Sequence, residues 1–167
     1  MAEATVNWLT DEEQRGWRSI LGAQNSLVTA LDRELAAEHK LGLADYEVLM
    51  HLSEAEGESL RMTDLAKGVF LSPSGLTRRL DSLVKAGLVE RKPCESDGRG
   101  LFAVLTSEGR AKLEQMAPTH VRGVREHFID QITADQLRQL TQIFESLPVA
   151  NREDSFRTRL SEPVRTS

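Results

Sequence analysis

Ser72, Ser74, Thr77, Arg78 and Lys85 are hydroxyls followed by cations, spaced so that one helix can present them together. At about 100° per residue, the side opposite the apolar seam of Leu76, Leu80, Leu83 and Val84 carries Ser74, Arg78, Asp81 and Lys85. Thr77 and Ser82 flank that side, and Arg79 falls nearer the seam. Small hydroxyls in a first turn followed by arginine suit a helix lying in a DNA major groove. Arginine pairs with guanine edges, and hydroxyls reach bases or phosphates. The alternative is an amphipathic helix whose polar side is merely solvated.

A second pair, Asp97 and Arg99, follows in a polar loop with Gly98 and Gly100. That loop joins two short apolar runs, Leu88 to Pro93 and Leu101 to Leu105, which read as the strands of a hairpin. Arg99 at its tip suits the narrow, negative minor groove beside the major groove. Asp97 would be repelled by phosphate, so its expected part is to brace the loop or orient Arg99.

The helix is well marked at both ends. Ser72 can cap free backbone N–H groups, Pro73 stands where no intrahelical N–H is needed, and Gly87 offers a left-handed stop. A short helix opening at Thr63 precedes it, so the stretch from Thr63 to Leu105 spells helix, turn, helix and then a hairpin wing. The run SPSGLTRRLDSLVKAGLVER, the wing motif Asp97-Gly98-Arg99 and the following apolar strand with LTSEGR resemble the MarR family of bacterial winged-helix transcription regulators. The likeness covers roughly residues 17 to 147.

The resemblance implies a homodimeric DNA-binding repressor or activator, often released from a palindromic operator by a small anionic aromatic ligand or by oxidation. Its DNA-contact positions map to Ser72, Ser74, Thr77 and Arg78 on the recognition helix and to Asp97 and Arg99 in the wing. Effector positions map to Thr77 and Arg91, where the guanidinium could pair with a carboxylate. In the family such a ligand often lies in a cleft between the dimerisation helices and the DNA-binding lobe, and Trp17 and His51 are further candidates for its wall. For Trp17 the competing expectation is core packing at helical spacing, and for His51 a partly exposed helix position.

The elements needed to position these residues can be traced along the chain. Thr10-Asp11-Glu12-Glu13 fits a capping box and opens a long helix with Trp17, Ile20, Leu21, Val28, Leu31 and Leu35 on one face, stopped at Gly42. A second helix runs from Ala44 to about Ala55, and Ser59 to Met62 suits an edge strand. After the wing, Thr106-Ser107-Glu108 starts a helix whose Leu113, Met116, Val121, Val124 and Phe128 lie near one face. Pro118 should kink or interrupt that helix. Thr133-Ala134-Asp135-Gln136 caps a last helix with an apolar stripe of Leu137, Leu140, Ile143, Phe144 and Leu147.

The expected fold is therefore mainly α with a small β-hairpin wing: a winged helix-turn-helix domain plus N- and C-terminal dimerisation helices. Residues 10–147 form one unit, with 43–105 as the DNA-binding lobe and 10–41 and 106–147 as helices that bury their apolar faces between two subunits. A monomeric bundle is the alternative use of those faces. The polar stretch 148–167 is expected to be a mobile tail.

Charge and composition narrow the partners. The 167 residues carry a formal net charge of −5, yet residues 61 to 100 hold eight Lys/Arg against five Asp/Glu, a net +3 that leaves −8 elsewhere. Positive charge thus gathers where helix and wing would meet phosphate. No apolar run approaches membrane-spanning length and the first residues lack a secretory pattern, which points to the cytoplasm.

One cysteine excludes an intrachain disulfide framework. That residue, Cys94, lies in the wing and is a candidate redox switch, although the acid beside it opposes thiolate formation and the family's peroxide sensors use a cysteine near the N-terminus. His39, His51, His120 and His127 show no HxxxH pair, so no metal and no cofactor is expected. No phosphate-cradling glycine loop, nucleophile elbow or zinc protease motif suggests an enzyme. The more serious rival is a winged-helix protein-interaction module with no specific DNA affinity.

Overall fold

In the computed structural model, residues 6–69, 71–93 and 101–148 are described. Asp97, Arg99 and Cys94, and all but the first residue of the expected tail, lie outside them.

Thr10 starts the first helix, α1 (Asp11–His39), by the predicted reciprocal cap. Its hydroxyl accepts the Glu13 amide at 3.2 Å while the Glu13 carboxylate accepts the Thr10 amide at 2.7 Å. The helix ends earlier than the glycine suggested, because Lys40 itself turns into the left-handed region at φ 63°. Gly42 has another task. It is extended, at φ −87°, and precedes α2 (Leu43–Glu54) where α1 and α2 approach closely. Asp32 Oδ1 of α1 accepts the Leu43 amide at 2.9 Å, and a side chain at Gly42 would collide with that carboxylate.

A 3-10 turn at Glu56–Glu58 leads into β1 (Ser59–Arg61), the expected edge strand. Then come α3 (Met62–Gly68) and α4 (Pro73–Lys85), followed by Gly87 at φ 74°. Strands β2 (Val89–Pro93) and β3 (Leu101–Leu105) pair antiparallel from Val89 opposite Leu105 to Pro93 opposite Leu101. β1 joins the other edge of β3, giving the order β1-β3-β2. The architecture is helical with a small three-stranded sheet, of which the hairpin forms two strands.

The core draws on α1 to α4, β2, β3 and the helix that follows the sheet. Leu31 and Leu35 of α1 meet Val48, Leu49 and Leu52 of α2, Leu65 of α3 and Leu76, Leu80 and Leu83 of α4. Val89, Ala103 and Leu105 come from the sheet, and Leu113 and Met116 from α5 (Ser107–His127). Burying such a side chain contributes about 1.5–3 kcal/mol, so the α4 leucines hold that helix firmly by one face and leave the other to solvent.

α5 runs through Pro118 without interruption, so of the two expected outcomes, a kink or a break, the break does not occur. Met116 and Thr119 on either side of the proline are both buried, and tertiary packing outweighs the lost hydrogen bond. Val121 departs from the predicted apolar face and is exposed. The start of α5 is stitched to the end of α4: Thr106 Oγ1 donates to the Gly87 carbonyl at 2.8 Å and accepts the Gly109 amide at 2.9 Å. Gly109 lies so close to Leu88 that a Cβ would collide with the Leu88 carbonyl oxygen, a backbone atom with little room to yield. Gly109→Ala is therefore expected to destabilise the fold by about 1–3 kcal/mol; urea unfolding checks this, and a midpoint equal to wild type would contradict the close approach.

The remaining helix, α6 (Ala134–Ser146), has the predicted capping box between Thr133 and Gln136 but no buried residue. Trp17, Ile20, Leu21 and Val28 of α1 are likewise exposed, Trp17 at 55%. The predicted apolar faces exist, but in a single chain only part of each is covered: Leu31 and Leu35 of α1 are buried and Leu137 and Leu140 of α6 half-buried, while the rest lie exposed.

Candidate nucleic-acid interface

The helix singled out by its residue types is α4, and its start is built by its own sequence. Ser72 Oγ accepts the Gly75 amide at 3.1 Å, Pro73 occupies the first helical position, and Ser74 Oγ lies 3.3 Å from Ser72 Oγ. Ser72, Ser74, Thr77, Arg78 and Lys85 are all exposed, on the side away from Leu76, Leu80 and Leu83. The Thr77 hydroxyl donates to the Pro73 carbonyl at 2.9 Å, which leaves its methyl group and the oxygen's remaining acceptor capacity for a partner.

The charged residues of α4 divide into two sets. Arg79 Nη1 lies 3.3 Å from Asp45 Oδ2, whose side chain is only 5% exposed at the first turn of α2. Asp81 is bound by Arg91 of β2, Nη1 to Oδ1, at 2.7 Å. These pairs tie α4 to the helix behind it and to the wing strand beside it. Arg78 and Lys85 are different: no described residue holds either in an ion pair. The two cations left to solvent are the ones the helical wheel aims outward.

Asp45 shows how the support is balanced. Its Oδ2 also accepts the Gly42 amide at 3.0 Å. Burial pushes its carboxyl above the ordinary carboxylate range, an effect opposed by the Gly42 hydrogen bond and by Arg79 and reinforced by nearby Asp32. Neither Asp45 nor its pairing with Arg79 was evident from the sequence, since the partners are far apart along the chain and neither belongs to a local motif.

The effector candidates are scattered differently from expectation. His51 is buried rather than partly exposed; burial lowers its pKa, and a backbone hydrogen bond at Gly68 acts the other way. Trp17 is on the exposed stretch of α1, not in the core. Arg91 lines an open depression of about 600 Å³ with Val84, Lys92, Thr106 and Glu108, and its guanidinium already pairs with Asp81. No group of three or more His, Cys, Asp or Glu suited to a metal ion occurs among the described residues, and no helix there is long and apolar enough to cross a membrane.

Behind the interface, α5 packs on α1 and α2 through polar contacts the sequence did not reveal. Thr119 Oγ1 lies 2.9 Å from His39 Nε2 and donates to Glu38 at 2.7 Å, Glu38 also binds Arg122, and His127 meets Glu34 at 2.5 Å. His120 stacks on Tyr46 with ring centroids 4.4 Å apart, and its buried Nδ1 has no hydrogen-bond partner among the described residues. Burial lowers the His120 pKa below the ordinary 6.5. The folded state then binds fewer protons than the unfolded chain, so stability is complete above about 6.5 and declines as pH falls below it, by at most about 1.4 kcal/mol per pH unit for each such histidine. His120→Phe keeps the stack and removes the titration. It is expected to flatten the fall of the melting temperature below pH of about 6.5; an unchanged slope would show that His120 does not contribute.

A capped helix exposed beside a three-stranded sheet, with its outward cations free and its other charges tied to the scaffold, defines a winged helix-turn-helix protein. Comparison with known proteins makes the assignment narrower. Residues 39–100 match the model of the MarR family. The chain is 34% identical over 107 residues to the HTH-type transcriptional repressor YetL of Bacillus subtilis, covering 62% of this chain and 64% of YetL, less than two thirds of its length. It is also 34% identical over 107 residues to the HTH-type transcriptional repressor Rv2887 of Mycobacterium tuberculosis, covering 64% of this chain and 75% of Rv2887. Among solved structures, Sco3205, a MarR family transcriptional regulator from Streptomyces coelicolor in complex with DNA, superposes with a TM-score of 0.80 at 39% identity over 86% of this chain and 89% of that one. The chain belongs to the MarR family of transcription regulators.

Proposed function

We propose that the protein is a homodimeric, sequence-specific DNA-binding transcription regulator, a repressor whose operator complex is dissolved by a small anionic aromatic effector. The observation that carries the DNA-binding part is the division of charge on α4: Arg79 and Asp81 are held by the scaffold while Arg78 and Lys85 stand free on the exposed side. Arg78 reads base edges in the major groove, Ser72, Ser74, Thr77 and Lys85 set the helix against it, and Arg99 reaches the flanking minor groove with Asp97 bracing the loop. The family membership supports this use of the helix, and the similar Sco3205 was solved with DNA bound. The repressor sense follows YetL and Rv2887, which are described as repressors.

Dimerisation is supported by the uncovered apolar side chains of α1 and α6, the elements at the two ends of the described chain. In this arrangement the lobe 43–105 reads DNA while 10–41 and 106–147 join the subunits, and two-fold symmetry sets two copies of α4 about one helical turn, roughly 34 Å, apart. For the effector, Arg91 remains the best anchor: an anion that pairs with it competes with Asp81 and so loosens α4 from β2. Selection from a random duplex library tests the proposal. Recovery of a palindromic site with half-sites one turn apart is the expected result; enrichment of no sequence over the starting pool would favour the protein-interaction module instead.

A further inference from the structure

Arg79 sits on the recognition helix but leans toward the core side of it, and its guanidinium meets a carboxylate that is almost fully buried. Asp45 takes Arg79 at 3.3 Å and the Gly42 amide at 3.0 Å on the same oxygen. One residue further on, the Leu43 amide is held at 2.9 Å by Asp32 of α1. Gly42 is what allows this crowding, since any Cβ there would strike the Asp32 carboxylate. The result is a continuous polar path: α1 through Asp32 to the first turn of α2, and from that turn through Asp45 to α4. Apolar burial among the leucines is non-directional, whereas an ion pair on a buried acceptor adds a directional contact at one point of α4.

Resting on the proposal that α4 reads DNA, we infer that Arg79 and Asp45 are positioning residues for operator recognition: Asp45, anchored at the α1–α2 junction, sets through Arg79 the placement of the recognition helix. Arg79 contributes through Asp45 rather than by touching DNA. Because α1 also bears the exposed apolar face assigned to dimerisation, the same path links the subunit interface to the angle at which α4 meets the groove.

The two routes by which Arg79 can matter give opposite signs in one variant. Asp45→Asn keeps the shape and an acceptor for the Gly42 amide while removing a negative charge and freeing Arg79. If Arg79 binds phosphate directly, that change raises affinity for DNA of any sequence. If Arg79 acts by positioning, affinity for the selected operator falls while affinity for a scrambled duplex holds or rises.

The experiment measures both affinities by fluorescence anisotropy on the full chain, at a temperature where circular dichroism shows each variant folded, for wild type, Asp45→Asn, Arg79→Met, Arg79→Lys, the Asp45→Asn/Arg79→Met pair and Arg78→Ala. The expected result is a loss of about five- to tenfold in operator affinity for Asp45→Asn, a similar loss for Arg79→Met, no further loss in the pair, and partial recovery with Arg79→Lys. Operator affinity that is unchanged or higher in Asp45→Asn, while Arg78→Ala loses it, overturns the positioning role and leaves the DNA-reading helix intact. If Arg78→Ala also binds like wild type, the assignment of α4 to base reading fails, and the inference falls with it.

Discussion

Arg78→Ala is expected to weaken operator binding by about 1–3 kcal/mol, a factor of roughly five to 150, and to relax the preference for one base pair in each half-site. The magnitude follows from what the side chain is free to do. Arg78 is exposed on α4 with no described ion-pair partner, so its fork-shaped donor set is available for a guanine edge without first breaking an internal pair. Binding to a scrambled duplex should fall by much less, because only one charge is lost. A uniform loss on both duplexes would place Arg78 on phosphate instead. Titration of both duplexes at fixed salt distinguishes the cases.

The second large effect concerns assembly. Ile143 and Phe144 lie on α6 at 56% and 40% exposure, and α6 buries none of its residues against its own chain. An apolar stripe of this kind is costly to leave in water and is economically covered by a second copy. The double substitution Ile143→Asp/Phe144→Asp puts charges on both sides of a two-fold interface, so each change counts twice. At about 1.5–3 kcal/mol per buried apolar side chain, the loss is enough to dissociate an ordinary dimer at micromolar concentration. Sedimentation should then give a species near the chain mass of 18.6 kDa in place of one twice that, with operator affinity lost alongside. A wild-type protein that already sediments as a monomer would contradict the assignment of these helices.

What was legible in the sequence was local. The caps at Thr10, Ser72 and Thr133 depend on residues three positions apart, and all three form as expected. The exposed side of α4 followed from helical periodicity alone. Failures came where a distant partner decides the outcome. Gly42 looked like a helix stop but is small because Asp32 of α1 lies against it, and Lys40 makes the turn. Pro118 suggested a kink or a break, and the break is absent from a helix in which Met116 and Thr119 are buried. His51 is buried, and Trp17 is exposed in the single chain, because a hydrophobic face cannot announce whether its cover is the same chain or another. The division of α4 charges into tied and free depended on Asp45 and Arg91, which no spacing rule connects to Arg79 and Asp81.

That division gives the site its logic. A helix that must read bases needs a rigid seat and a mobile, unencumbered set of donors. Here Leu76, Leu80 and Leu83 provide the seat, two ion pairs join α4 to α2 and β2, and the remaining cations face outward. The chain as a whole carries a net charge of −5, so under the proposed reading attraction to DNA would rest on the local cations of α4 rather than on the overall charge.

The most direct test of the central claim is anisotropy binding to the DNA upstream of the protein's own gene, beside a scrambled duplex, across a range of salt concentrations. The expected result is tighter binding to the upstream duplex at two subunits per site, with log affinity falling against log salt by about 0.9 for each phosphate neutralised. Absence of binding to either duplex at low salt, with the folded protein freed of small molecules, would contradict the account.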